Sequence, residues 1–215
     1  MKKYKLTKTT REIHGIKLYQ IEALKDFGNI KKGEKGGWIE KEENLSQEDN
    51  AWVYGNAWVS DNARVSGNAW VFGNAWVSDN AQIYGNAWVF GNARVSGNAW
   101  VFGNARVSDN AQIYGNAWVY GNAWVFGNAW VSDNARISGN AWVYEDAQIY
   151  GNAQIYGDAQ IYGNAQIYGD AQIYKLKIMD GHFYHTKNKS ETIEKIEQGD
   201  NETLCSNPQF GDKEL

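Results

Sequence analysis

Three histidines and one cysteine are the residues of this 215-residue chain best suited to chemistry near neutral pH: His14, His182, His185 and Cys205. Imidazole and thiolate act as base, nucleophile or zinc ligand only where partners converge on them. His182, His185 and Cys205 invite a zinc reading. If Gly181 to Thr186 form a strand, however, the two histidines are three apart and face opposite sides. Gly28 and Gly33 do not build a phosphate loop, because Glu34 and Lys35 stand where a Walker motif needs Lys and Ser or Thr. A single cysteine forms no internal disulfide, which fits a reducing compartment. No catalytic residue, metal ligand or cofactor is therefore assigned.

The elements that would have to position such residues are unusually regular. From Asn50 to Lys175 the chain divides into 21 consecutive hexads of the general form (Asn/Asp)-Ala-(Trp/Arg/Gln)-(Val/Ile)-(Tyr/Phe/Ser)-(Gly/Asp), without insertion or deletion. That stretch holds no histidine, no cysteine and no loop. A strict short period is the signature of a solenoid. Val or Ile recurs while both neighbours vary, so the aliphatic residue points inward and its flanks point out. The Gly-Asn or Asp-Asn pair accepts the left-handed backbone of a corner, and the alanine after it is small enough to sit where the chain bends inward. Three such sides close a triangular coil of 18 residues, and seven coils stacked at about 4.8 Å make a rod roughly 34 Å long.

Side chains 18 apart stack on one face. One face carries Trp52/Tyr54, Trp70/Phe72, Trp88/Phe90, Arg106/Ser108, Trp124/Phe126, Trp142/Tyr144 and Gln160/Tyr162, an aromatic wall interrupted once. Two explanations of the wall are compatible: a stacking ladder that holds coils together, or a contact surface for a partner. The contact reading makes Trp52, Tyr54, Trp70, Phe72, Trp88, Phe90, Trp124, Phe126, Trp142 and Tyr144 the candidate partner-binding residues. Stacked rings expose edges rather than flat faces, which weakens a carbohydrate-binding version. The corner asparagines form a second possible ladder. Asp146, Asp158 and Asp170 each have Asn 18 residues before them, so no carboxylate stacks on another there. At the preceding corner position Asp61 and Asp79 do stack, for no reason visible in the sequence.

The pattern of Val71-Phe72-Gly73-Asn74-Ala75-Trp76 resembles that of hexapeptide-repeat proteins, which fold as left-handed parallel β-helices. The run LYQIEALKDFGNIKKGEKGGWIEKEENLSQ is similar to the opening module of uncharacterised bacterial and phage members of that family, some described as acetyltransferase-like. The resemblance implies an all-β, left-handed parallel β-helix solenoid of about seven triangular coils and a prophage context. Residues 1–49 are expected to form an N-terminal β cap, with a strand from Ile16 to Leu24 and a degenerate first coil containing Trp38-Ile39 and Leu45. Residues 50–175 form the β-helix, and 176–215 a small antiparallel cap turning near Gly199-Asp200-Asn201. Acyltransferases of the fold use a histidine base, projecting loops and a trimer groove, none of which residues 50–175 supply.

A net charge of -4, spread without any basic patch, argues against nucleic acid. No apolar run reaches signal-peptide or membrane-span length, so a cytoplasmic protein without membrane contact is expected. The sequence-level expectation is a non-catalytic module that binds a protein or self-associates as a homo-oligomer.

Overall fold

The computed structural model describes residues 2–185. Within them the chain is an all-β solenoid of three sheets, with 11, 8 and 7 strands, parallel except where the N-terminal strands join the first, and the only helical element is a single 3-10 turn at Glu42–Asn44. Most repeat strands are two residues long, such as Trp70–Val71, and Trp88 pairs with Trp70 on one side and Arg106 on the other. An 18-residue register makes every coil the template for the next. The Trp70 N–H donates to the Ala87 carbonyl at 2.9 Å and the Phe72 N–H to that of Val89 at 3.0 Å, a pattern repeated along the rod.

The inside is built as the hexad predicts. Val and Ile of the repeats, with the alanines after each corner, are almost wholly buried and form one continuous core. Corners need a residue at positive φ, and Gly103 (φ 71°) shows why glycine fills most of them: a Cβ there would lie 3.0 Å from the Gly121 nitrogen.

Where the corner is acidic, the side chain does something glycine cannot. Asp61, Asp79, Asp109, Asp133 and Glu145 all have φ between 54° and 58°. Asp61 accepts the N–H of Asp79 at 3.3 Å, and Asp79 that of Gly97 at 2.8 Å. Asp109, Asp133 and Glu145 likewise accept from Gly127, Gly151 and Gly163. Asp61 thus stacks on Asp79 because each carboxylate is turned onto a backbone N–H of the next coil, where a charge-assisted hydrogen bond offsets repulsion.

The asparagines form three side-chain ladders, each Nδ2 donating to the Oδ1 18 residues on. All the amide dipoles point the same way. Asn128, Asn140 and Asn152 make the last donations, to Asp146, Asp158 and Asp170 at 2.8–2.9 Å. A carboxylate accepts but cannot donate, so Asp158 and Asp170 close the donor ends of two ladders, whereas Asp146 interrupts the third one coil before Asn164. Asn104 accepts from Asn86 and donates to Asn122, both at 3.0 Å. Asn104→Ala is expected to cost about 1 kcal/mol, since both bonds are solvent-exposed. Urea unfolding tests this, and an unchanged midpoint would mean that the ladder is decorative.

The N-terminal residues form a hairpin, β1 (Tyr4–Ile13) and β2 (Ile16–Ala23), turning at His14 and Gly15, which both have positive φ. Strand β2 corresponds to the Ile16–Leu24 expectation; β1 was not foreseen. Strand β3 (Lys35–Ile39) pairs antiparallel with β2 and parallel with Trp58–Val59, so hairpin and solenoid share one sheet. The first coil would otherwise expose bare carbonyls, a template for unwanted pairing. Side chains cover several of them. Lys3 Nζ donates to the carbonyls of Ala51 (2.8 Å) and Glu48 (3.1 Å), Asn44 Nδ2 to those of Ala63 (2.9 Å) and Asp61 (3.1 Å), and Arg11 Nη2 to that of Asn56 (2.7 Å).

At the other end the structure departs from the antiparallel expectation. Lys177–Ile178 pairs parallel with Gln160–Ile161, and His182–His185 parallel with Gln166–Gly169. The solenoid therefore continues past the last hexad, with offsets of 17 and 16 residues in place of 18, because the chain takes shorter corners once the repeat is lost. The expected turn at Gly199-Asp200-Asn201, and Cys205, lie outside the described residues. No described helix is long and apolar enough to cross a membrane.

Candidate functional site: an aromatic ladder broken by arginine

The eight-stranded sheet brings the candidate tryptophans together, in the order Trp52, Trp70, Trp88, Arg106, Trp124, Trp142. They are not equally available. Trp52 is fully buried and cannot belong to a contact surface. The rings of Tyr4 and Phe27 pack edge-on against it at 6.2 and 5.3 Å, because the N-terminal cap folds over the first coil. Trp70 and Trp124 are half-buried, as are Phe72, Phe90, Phe126 and Tyr144. Tyr54 (46%), Trp88 (41%) and Trp142 (41%) are the exposed members.

The partial burial comes from the rings themselves. Phe72 stacks on Phe90 at 4.9 Å, and Phe126, Tyr144 and Tyr162 stack at 4.9 and 5.0 Å. Each neighbouring indole packs across this column: Phe72 with Trp88 at 77° and Phe126 with Trp142 at 78°. Both geometries are favoured by the ring quadrupole. Burial in the column also raises the Tyr144 hydroxyl above its ordinary pKa, with smaller contributions from Tyr162 and Glu145.

Arg106 does not leave a hole in the wall. Its guanidinium lies 5.2 Å from the Trp88 ring and 5.5 Å from that of Trp124, so a planar cation takes the place of a ring between two indoles. Ser108 leaves the adjoining ring position empty. Trp124 tilts 46° to Phe126 at 5.2 Å, and its Nε1 is buried without a hydrogen-bond partner. Trp76 Nε1 is buried likewise. Trp76 follows Ser60 by the same 16 residues that separate Trp124 from Ser108, and both serines are buried. In each case an indole settles where a phenyl or phenol ring is missing.

Stacking is not confined to this face. Tyr84, Phe102 and Tyr120 form a column with 4.9–5.0 Å steps beside a Trp100–Trp118 stack capped by Arg136. On the third sheet Trp58 stacks on Trp76, and His14 at the hairpin tip lies 5.7 Å from the Trp76 ring. The ladder reading thus applies to all three faces, and of the three exposed indoles two, Trp88 and Trp142, share one face. Trp130, 43% exposed on another sheet, was placed among the mixed positions by sequence. The special place of Arg106 escaped sequence reading too, although it is the only charge among the hexad side chains of its face. Among the described residues no group of histidine, cysteine and carboxylate side chains could hold a metal.

Fold and surface together define a β-solenoid repeat protein. Residues 63–79, 81–97, 89–103, 111–127, 129–145 and 159–175 match the model of the YdcK beta solenoid repeat, so the coils are similar to that family's repeats. No curated protein matches the chain.

Proposed function

We propose that the chain is a non-catalytic, rigid structural or protein-interaction module that engages a protein partner, or a second copy of itself, through the face bearing Tyr54, Trp88 and Trp142. The exposure of two indoles and a phenol on one sheet carries this reading, since apolar rings left in water on a stiff surface are what a partner covers. A backbone bonded from coil to coil pre-organises that surface, so little ordering entropy is lost on contact. The reading includes left-handed winding, a prophage context and a cytoplasmic location, which rest on the hexapeptide resemblance and the single cysteine.

Light scattering on wild type and on Trp88→Gln/Trp142→Gln tests self-association. A larger mass for wild type that falls to the monomer in the variant is expected. A monomer in both eliminates the second-copy version. Saturable micromolar binding of acetyl-CoA in calorimetry would overturn the non-catalytic part and restore the acyltransferase alternative.

A further inference from the structure

We infer that the aromatic face is specific for an acidic peptide segment, with a carboxylate seated on Arg106 and apolar side chains to either side of it against Trp88 and Trp142. This rests on the reading of that face as a contact surface and adds the chemistry of the partner. Of the 14 outward residues on this face between Trp52 and Tyr162, Arg106 alone is charged. It is exposed, and the ion pairs among the described residues involve only Lys2, Lys5, Lys31 and Lys35. Asp109, three residues on, is turned away onto the Gly127 N–H at 3.2 Å, and Glu145 onto that of Gly163 at 2.8 Å. The two acidic corners in the column that borders this face after Arg106 are therefore engaged elsewhere. The guanidinium is held in place by two indoles while its N–H groups have no protein acceptor.

A guanidinium flanked by two indoles still offers a planar fork of donors, and a carboxylate matches that fork with two oxygens. The rings beside it favour a peptide over a sugar. Trp88 is packed on one side by Arg106 and on the other by Phe72, and Trp142 meets both Trp124 and Phe126 nearly at right angles. With neighbours packed against them these indoles have less flat face to offer, and ring edges carry a positive partial charge that suits carboxylate and peptide carbonyl oxygens. A pyranose ring needs an open flat face. Trp88 and Trp142 lie three coil steps apart, about 14 Å, a span that four or five extended residues cover at about 3.3 Å each.

Selection of a random dodecapeptide display library on the immobilised full-length chain tests the inference. Expected winners carry Asp or Glu flanked by apolar residues, and changing that acid to its amide weakens binding of the synthetic peptide roughly tenfold. On Arg106→Gln the same selection should keep the apolar residues and lose the acid, while Arg64→Gln, on another sheet, changes nothing. Winners without acid enrichment, or affinity unaltered in Arg106→Gln, overturn the acidic specificity while leaving the contact face standing. Winners that bind Trp88→Gln/Trp142→Gln equally well overturn the contact face itself. Displacement of the winners by oligogalacturonate at lower concentration than by a Glu-rich peptide would assign the site to acidic sugars and overturn the peptide inference.

Discussion

Truncating one aliphatic residue at mid-rod, Ile113→Ala, is expected to destabilise the solenoid by about 3 kcal/mol and to loosen it locally before it unfolds globally. Ile113 is fully buried and stacks between Val95 of the coil before and Val131 of the coil after. Deleting its side chain removes contacts on two sides at once. The surrounding backbone is fixed by hydrogen bonds in both directions, Ser96 N–H to the Ile113 carbonyl at 2.9 Å and Tyr114 N–H to that of Val131 at 3.0 Å, so it cannot collapse into the space. Contacts in a solenoid run between neighbouring coils, so the loss should be felt by the two adjoining coils and little at the ends. Amide exchange in residues 95–131 should accelerate well before that near Val59 and Val77. A uniform acceleration along the rod, or a shift below 1 kcal/mol, would show that the core is more plastic than its burial implies.

The same residue explains why so much of the fold could be read from sequence. Val and Ile recur because each inward position has a near-identical environment, and alanine recurs because every bend is the same bend. The sequence therefore reports interior geometry directly. It reports the surface less well. Trp52 and Trp88 occupy equivalent hexad positions, yet one is buried and the other exposed, because Tyr4 and Phe27 come from an aperiodic segment with no pattern to place them. The stacked acids were opaque for another reason. Their repulsion is visible in one dimension, but the compensating N–H of Asp79 and Gly97 becomes visible only once the backbone adopts positive φ at the corner. At the C-terminal end, the pairing of Lys177 and His182 depends on corners shorter than the repeat, which its period could not announce.

The edge-covering side chains show how the two kinds of sequence meet. Within the rod each coil receives its N–H donors from the coil before, as Trp52 N–H donates to the Ala69 carbonyl at 3.0 Å. At the first coil that supply ends, and lysine, arginine and asparagine provide donors that the backbone no longer can. These are long or amide side chains from non-repeating segments, chosen for reach rather than periodicity. The solution has a cost where the donor is an ammonium group, since burying a charge without a carboxylate partner is unfavourable.

Lys3 carries that cost, and stability should therefore rise as the solution is made alkaline, the reverse of what most proteins do. Its side chain is wholly buried, with Nζ on two carbonyls and 5.0 Å from the Phe27 ring, and burial pulls its pKa from 10.5 down to about 8, against a weaker opposing effect of Asp49. Between pH 8 and 10.5 the unfolded chain binds the proton that the folded chain has released, so folding becomes more favourable as pH increases through that window; below 8 both forms are protonated and the penalty is constant. A displacement from 10.5 to about 8 is worth on the order of 3 kcal/mol. Deprotonation leaves two N–H groups on the amine, enough for both carbonyls, so the cap keeps its bonds while losing its charge. Tyr4 acts in the opposite sense. Burial raises its pKa above the ordinary phenol value, helped by Glu42 and Glu43, so above pH 10 the unfolded chain loses that proton first and stability falls again. Unfolding midpoints measured from pH 7 to 11 should pass through a maximum near pH 10, and amide exchange in β1 and β2 should be slowest there. Lys3→Met removes the titrating group and should flatten the rise between 8 and 10 while leaving the fall above 10. A rise that survives in that variant would locate the effect elsewhere than Lys3.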